Sequence, residues 1–365
     1  MSAAIPVRSN FEAMEGYHSP QVSAEVRLNT NESPFPPPEG WREAFEREVA
    51  RVEANRYPDR HARVLREALA EFHGIDAEEI FCANGSNEVL QCLLLAFGGP
   101  GKRAVVFEPT YALHAHICRL THTEVVSGRR DANFGIDPDH ATAVVGEAEP
   151  VLTFLCSPNN PSGGAEPPSL LRVLVGQVPG LLVVDEAYGQ FAPVSALSLR
   201  GTHARDGGPE VDGQAALVVV RTFSKTWSMA AARLGYLVGH PEVVAGCEQA
   251  ALPYHLSAYT QAAGVLALRY RADMEARVAL IASERDRVTG ALATMAVQTW
   301  HSDANFVLFR PLERPARKVW EALLEHSVLI RDFSTRPGLE GCLRVSIGTP
   351  AENDRFLAAL EVALR

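Results

Sequence analysis

Short apolar runs separated by helical or loop stretches constrain the fold of this 365-residue chain more than any other feature. The runs lie at 104–107, 151–155, 181–184, 216–220 and 235–238. Apolar runs of strand length that alternate with helical segments are typical of a mostly parallel sheet covered by helices on both faces. We therefore predict a large α/β domain with a mostly parallel central sheet.

Three regions are predicted along the chain. Residues 1–38 are polar and end in a proline-rich run, which favours an extended N-terminal arm over a packed element. Residues 39–256 form the large α/β domain, and residues 257–365 form a linking helix and a smaller α+β domain. The helical pattern from Ser257 to about Met295 is nearly continuous, so we expect one long helix to join the two domains.

Charge and cysteine usage exclude several classes of protein. The formal net charge is −10 and no basic face is formed, which argues against nucleic acid or a membrane surface as partner. The six cysteines are scattered without a C-x-x-C pair, which predicts buried free thiols in a reducing compartment. Because no apolar stretch has the length of a signal peptide or a membrane span, we expect a cytoplasmic protein with small-molecule ligands.

Lys225 is the first candidate for a catalytic group. It is one of only three lysines among 34 basic residues, and it follows an apolar run. Arginine stays charged in proteins, whereas a lysine in a dry, cationic pocket can lose its proton and attack a carbonyl to form a Schiff base. An ordinary loop lysine in an arginine-rich composition explains the count equally well, so the neighbouring motifs must decide.

Four polar motifs follow apolar runs, at the ends of predicted strands. They are Gly85-Ser-Asn87, Asn159-Asn-Pro-Ser-Gly163, Asp185-Glu-Ala-Tyr188 and Ser224-Lys225. In an open α/β sheet, ligands bind at the carboxyl ends of the strands. Together the motifs supply an anion cradle, an amide, a carboxylate with a phenol, and an amine beside a hydroxyl. This set of groups suits a phosphorylated pyridine aldehyde.

The ring of such a cofactor needs particular side chains. The aldehyde needs the amine of Lys225, and the ring nitrogen needs a carboxylate, Asp185, that keeps it protonated. Asn160 and Tyr188 are candidates for hydrogen bonds to the ring oxygen, and Tyr111 for packing on the flat ring.

The phosphate of the cofactor needs a different kind of site. Backbone N–H groups at a helix start are expected at Gly85-Ser86-Asn87, and hydroxyl and guanidinium donors at Ser224 and Arg233. Each motif alone is most often a turn or a helix cap, but their joint order favours a site.

The order of the motifs resembles that of fold-type I pyridoxal-phosphate aminotransferases over nearly the whole chain. Within that family, the histidinol-phosphate aminotransferase subgroup is most similar. The segments that carry this narrower resemblance are Leu28-Asn-Thr-Asn-Glu32, Arg56-Tyr-Pro-Asp59, Ser302-Asp-Ala-Asn-Phe306, Ile330-Arg-Asp332 and Cys342-Leu-Arg344. One departure is Trp227, where the family has a small, glycine-containing segment.

The resemblance implies roles for individual residues. Lys225 would bond the cofactor aldehyde and carry the proton between the substrate Cα and the cofactor, with Asp185 and Tyr188 as the other catalytic residues. The residues implied to bind the cofactor are Ser86, Asn87, Tyr111, Asn160, Asp185, Tyr188, Thr222, Ser224, Lys225, Arg233 and, from a partner subunit, Tyr57. The active unit would therefore be a homodimer.

Substrate binding is implied for two arginines near the C-terminus. Arg331 and Arg344 stand where the family receives the anionic end of the substrate, and Arg344 would take either a phosphate or the α-carboxylate of glutamate. Tyr17 in the arm is a further candidate for the substrate pocket, against the alternative of an exposed tyrosine in a flexible segment.

The predicted reaction converts histidinol phosphate and 2-oxoglutarate into imidazole-acetol phosphate and glutamate, a step of histidine biosynthesis. An aromatic amino acid such as phenylalanine is an alternative donor, since a pocket for imidazole also accepts a phenyl ring. Decarboxylation of threonine phosphate and a cofactor-binding regulator without turnover are further alternatives. No metal is expected, because the histidines, including His114 and His116, lack ligand spacing.

Overall fold

The computed structural model describes residues 22–200 and 217–365. Within them, the strands form one seven-stranded and one five-stranded sheet. The strands are β1 Val26–Leu28, β2 Ile80–Ala83, β3 Arg103–Glu108, β4 Glu124–Arg129, β5 Leu152–Cys156, β6 Leu181–Asp185, β7 Leu217–Thr222, β8 Gly235–Val238, β9 Val297–Thr299, β10 Phe306–Pro311, β11 Val328–Asp332 and β12 Leu343–Ser346.

Helices cover both sheets. They are α1 Trp41–Val49, α2 Arg63–His73, α3 Ser86–Phe97, α4 Leu113–Leu120, α5 Pro138–Ala148, α6 Pro168–Val175, α7 Pro241–Ala250, α8 Ala258–Leu268, α9 Arg271–Leu292, α10 Ala316–Glu325 and α11 Pro350–Ala363. In the described part of the chain, no helix combines the length and the apolarity needed to cross a membrane.

The large sheet has the strand order β2-β8-β7-β6-β5-β3-β4. Strands β4, β3, β5, β6 and β7 pair in parallel, and β8 runs antiparallel to β7 and β2. Neighbouring side chains of a strand point to opposite faces, so Val106 packs with α3, α4 and α7, whereas Val105 packs with α5 and α6. Burial on both faces explains the continuous apolar runs of the central strands.

Edge strand β4 was not predicted. Its residues are mostly exposed or half-buried, and its sequence Glu-Val-Val-Ser-Gly-Arg is not an apolar run. Edge positions need less apolar surface than central ones, and so they leave a weaker signal in the sequence.

The small sheet has the order β1-β11-β12-β10-β9 and packs against α10 and α11. Its first strand comes from the predicted arm, where Val26 and Leu28 are buried and pair in parallel with Val328 and Ile330. The expectation of an unpacked arm is therefore wrong for residues 26–28, because two apolar side chains at alternate positions can bury one face of a strand.

The single long helix expected after Ser257 is two helices, α8 and α9. Ser257 caps α8 by accepting the Thr260 N–H at 3.1 Å. At Tyr270 the backbone leaves helical geometry, with ψ of 33°. No proline or glycine marks this position, so helical periodicity alone could not reveal the break.

The prediction of buried free thiols is confirmed. All six thiols lie within the described residues, and all are buried and free. Desolvation raises the pKa of Cys82, for example, to about 12, so these groups act as small apolar side chains.

Candidate active site

The carboxyl ends of β5, β6 and β7 lie side by side at one edge of the large sheet. Cys156 is opposite Asp185, and Asp185 is opposite Val220. The loops after these strands carry Asn160, Tyr188 and Lys225, so the three predicted groups meet at the edge where ligands bind in α/β sheets.

Lys225 is half-buried and lies in cationic surroundings. Its Nζ donates to the carbonyl of Thr30 at 3.0 Å and lies 5.8 Å from the centroid of the Tyr188 ring. Loss of hydration, together with the positive charges of Arg344 and Arg233, lowers the pKa of the amine to about 8, against an opposing effect of Glu32. About a tenth of the amine is then neutral at pH 7, which makes it a competent nucleophile toward an aldehyde.

Asp185 is 1% exposed and is held at both oxygens. Its Oδ1 accepts the Ala187 N–H at 3.0 Å, and its Oδ2 lies 3.0 Å from Nε2 of His114. His114 is fully buried on α4 and stacks on Phe154, with centroids 5.0 Å apart. This arrangement holds the carboxylate in one orientation, with a negative charge that suits a cationic ring nitrogen.

The role of His114 was missed by the sequence analysis, which considered it only as a metal ligand. A weak signal was present, because His114 precedes the buried Ile117 and Cys118 by three and four residues. That spacing places it on the buried face of the helix, but not next to Asp185.

The amino end of α3 forms a cradle for an anion. Gly85 precedes the helix with φ of 81°, and Ser86 is its first residue and buried. The Arg233 guanidinium faces this end, since a Cβ at position 85 would lie 2.5 Å from its Nη2. Helix N–H groups and a guanidinium converge here, which fits a phosphate.

The loop after β7 adds hydroxyls to the cradle. Arg233 Nη1 donates to Ser224 Oγ at 3.3 Å, and the Ser224 N–H donates to Thr222 Oγ1 at 3.1 Å. Gly235 on β8 makes the close approach possible, because a Cβ there would overlap the backbone of Gly85 and Ser86.

Tyr188 and Asn160, the predicted partners of the ring oxygen, lie at the same edge but bind protein groups in this structure. The Tyr188 hydroxyl accepts a hydrogen bond from Nδ2 of Asn31 at 2.9 Å, and Asn160 Oδ1 accepts one from Nη1 of Arg344. Burial raises the pKa of the Tyr188 phenol above its ordinary value, so the phenol stays protonated and can donate.

Arg331 and Arg344 face each other across β11 and β12. Arg344 is buried, and its Nη2 donates to the carbonyl of Asn29 at 3.0 Å. The centroid of the Phe333 ring lies 5.7 Å from Cζ of Arg331 and 5.3 Å from Cζ of Arg344. Two guanidinium groups are thus held together beside the site, which suits a substrate with an anionic end.

Tyr111 contacts both Asn87 and His114. The Tyr111 hydroxyl donates to Asn87 Oδ1 at 3.3 Å, and its ring meets His114 edge-on at 5.4 Å. Tyr111 thereby lies next to the residue that holds Asp185.

Tyr57 is implied to bind the cofactor, and Trp227 is the departure from the family; both stack on other aromatic rings. Tyr57 is 80% exposed and stacks on Tyr254, with ring centroids 4.5 Å apart. Trp227 is buried and stacks on Phe223 at 5.3 Å, so its bulk is taken up by the core. Tyr17 lies outside the described residues.

The fold and these groups define the class of protein. A family model described as aminotransferase class I and II matches residues 23–360, and the chain belongs to that family. A histidinol-phosphate aminotransferase of Thermobifida fusca is 45% identical over 98% of this chain and 95% of its own length. Another, from Nocardia farcinica, is 43% identical over 97% of this chain and 90% of its own length.

Solved structures share the fold. The histidinol-phosphate aminotransferase of Sinorhizobium meliloti, solved with pyridoxal-5'-phosphate, has a TM-score of 0.86 at 24% identity and covers 100% of this chain and 99% of its own. An L-threonine-O-3-phosphate decarboxylase of Porphyromonas gingivalis has a TM-score of 0.75 at 23% identity and covers 92% and 98%. The predicted fold class and family resemblance are confirmed, whereas the fold alone does not separate these two reactions.

Proposed function

We propose that the protein is a pyridoxal-phosphate-dependent aminotransferase that converts histidinol phosphate and 2-oxoglutarate into imidazole-acetol phosphate and glutamate. The observation that carries the proposal is the meeting of Lys225, Asp185 and the anion cradle at one sheet edge. The relatives at 41–45% identity that bear this activity in their names support the choice of substrate.

The residues of the site fit the cofactor part by part. When bound, pyridoxal phosphate supplies an electron sink that stabilises negative charge at the substrate Cα. Asp185, fixed by His114, holds the proton on the ring nitrogen, and Asn160 and Tyr188 donate to the ring oxygen. Ser86, Asn87, Thr222, Ser224 and Arg233 hold the phosphate, and Tyr111 packs against the ring.

Lys225 has two tasks in the proposed reaction. Its amine would hold the cofactor at the aldehyde carbon, and the same amine would carry the proton that leaves the substrate Cα. A pKa of about 8 suits both tasks, since the amine can take and return a proton near neutral pH. The Thr30 carbonyl, 3.0 Å from Nζ, holds the amine close to the site.

Arg331 and Arg344 bind the anionic end of the substrate. Arg344 is oriented by Asn160 and Asn29 and receives a carboxylate or a phosphate, while Arg331 adds charge for the phosphate. Arg331→Ala should raise the KM for histidinol phosphate about tenfold or more, because a charge-assisted hydrogen bond is lost, with a smaller effect on glutamate. Equal losses for both substrates would contradict this assignment of Arg331.

A substrate panel tests the proposed specificity. Histidinol phosphate, phenylalanine and threonine phosphate are each supplied with 2-oxoglutarate, and glutamate formation and carbon dioxide release are measured. We expect the highest kcat/KM with histidinol phosphate and no carbon dioxide. A preference for phenylalanine, or carbon dioxide from threonine phosphate, would replace the proposed reaction by that alternative.

The proposal extends to the assembly and its setting. The active unit is a homodimer in which Tyr57 reaches the cofactor phosphate bound by the partner subunit. The exposure of the Tyr57 side chain in the single chain supports this contact between subunits. The boundary between the large and the small domain lies near residue 256, and Tyr17 lines the substrate pocket. The enzyme acts in the cytoplasm on small molecules, with no metal, nucleic acid or membrane partner.

A further inference from the structure

The side chain of Asn31 connects the N-terminal segment with the candidate active site. Asn31 is 1% exposed. Its Nδ2 donates to the Tyr188 hydroxyl at 2.9 Å, and its Oδ1 accepts from Ser346 Oγ at 2.8 Å. Its backbone N–H donates to the same Oγ at 2.9 Å, and its carbonyl accepts from Asn305 Nδ2 at 3.1 Å.

The Ser346 hydroxyl determines the orientation of the Asn31 side-chain amide. Because the oxygen of Ser346 already accepts the Asn31 backbone N–H, its own proton is available for Oδ1. Rotation of the amide by half a turn would place Nδ2 against that oxygen and leave the buried hydroxyl proton without an acceptor, which is unfavourable. Nδ2 therefore faces Tyr188.

The backbone of Asn31 supports the same orientation. Its φ is 56°, in the left-handed region, where asparagine is among the better tolerated side chains. This turn lets both the backbone N–H and the side chain of Asn31 reach Ser346 on β12.

Asn31 Nδ2 donates to the phenol oxygen of Tyr188, so the phenol can donate its own proton to another partner. Across residues 22–200 and 217–365, the Tyr188 hydroxyl makes no hydrogen bond other than the one from Asn31. We propose that Asn31 is a positioning residue that directs the Tyr188 O–H toward the ring oxygen of bound pyridoxal phosphate. The inference rests on the proposed function and concerns a residue without a predicted role.

Several charged or titratable groups surround the phenol and must be separated from the effect of Asn31. Arg344 on β12 and Asp185 at the end of β6 act on it through their charges, and the buried thiol of Cys156 lies at the end of β5. Lys225, after β7, lies 5.8 Å from its ring centroid. The test must therefore distinguish the direction of a hydrogen bond from a change of charge.

The test compares variants by pH titration of the visible absorbance of the cofactor-loaded protein. Asn31→Asp replaces the donor by an acceptor of the same shape, so the Tyr188 proton turns away from the ring oxygen. The ring oxygen then becomes more basic, and we expect the titration midpoint to rise by about one pH unit. The same substitution in a Tyr188→Phe background should produce no further shift, as a double-mutant cycle requires.

Ser346→Ala provides a variant without a new charge, and it carries the test alone if Asn31→Asp does not fold. It removes the group that orients the amide, so we expect a smaller shift in the same direction. An equal shift for Asn31→Asp with and without Tyr188, or an unchanged midpoint in Ser346→Ala, would overturn the inference. A wild-type protein that takes up no cofactor would overturn the proposed function as well, which separates the two failures.

Discussion

At the scale of single residues, the reactive side chains of the site are held by residues that are distant in the chain. Lys225, Asp185 and Tyr188 each follow a strand of the large sheet, and the apolar run before them predicts this position. His114 and Asn31 contact these residues from positions 71 and 157 residues away in the chain. Contacts between such distant residues depend on packing, which no local pattern in one sequence encodes.

The lowered pKa of Lys225 predicts a stability effect. Its folded value of about 8 lies below the ordinary 10.5, so the unfolded chain binds the proton more tightly. The buried amine therefore costs stability below about pH 8, and this cost disappears as the pH rises toward 10.5. Lys225→Met should raise the Tm of the cofactor-free protein at pH 7, and the gain should shrink toward pH 10.5. Thermal unfolding measured from pH 7 to pH 10.5 tests this prediction. A gain in Tm that does not change with pH would contradict the lowered pKa of Lys225.

The contact between His114 and Asp185 predicts a second stability effect. His114→Phe keeps the stacking on Phe154 but leaves a buried carboxylate oxygen without its donor. The free energy of unfolding of the cofactor-free protein should fall by about 1–3 kcal/mol, as measured by urea denaturation. His116→Phe, in the same helix but half-buried, is the control and should stay within about 0.5 kcal/mol of the wild type. An equal loss of stability in both variants would contradict the claim that the contact of His114 with Asp185 stabilises the fold.

At the scale of helices and strands, burial decided what could be predicted. The central strands β3, β5, β6, β7 and β8 were predicted within two residues, because they are buried on both faces. Edge strands β1, β4 and β9 were missed, since β1 and β9 have three residues each and half of the β4 residues are exposed. The break between α8 and α9 was missed because the helical pattern continues through it.

The close approach of α3 to β8 predicts a strong effect of one methyl group. Gly235→Ala would push the start of α3 away from the sheet, because the new Cβ overlaps the backbone of Gly85 and Ser86. Since overpacking costs about 1–3 kcal/mol, we expect cofactor affinity to fall about tenfold or more, as measured by fluorescence titration.

Gly290→Ala serves as the matched control for this change. A Cβ at position 290, inside α9, meets no atom within 4 Å. The same substitution should leave cofactor affinity unchanged and stabilise the helix by about 0.4–1 kcal/mol. A wild-type affinity in Gly235→Ala would show that the cradle does not depend on this approach.

At the scale of the whole molecule, the proposed dimer predicts complementation between two defective chains. Lys225→Ala removes the amine and Tyr57→Ala removes the group offered to the partner, so each variant alone should be nearly inactive. After subunit exchange in an equal mixture, half of the dimers are mixed, and one of their two sites has both residues. Activity should recover to about a quarter of that of the wild type. No recovery, despite exchange shown by native mass spectrometry, would contradict the crossing of Tyr57.

The pairing of β1 with β11 has a consequence for how the enzyme is made in the cell. The first contact of this pair, between Glu25 and Ser327, joins residues 302 positions apart. A growing polypeptide emerges from the ribosome in sequence order, so the segment that holds Lys225 and Arg344 can pair only after β11 has been synthesised. Catalytic competence would then be acquired only after the small sheet is made, and chains terminated before β11 would stay inert.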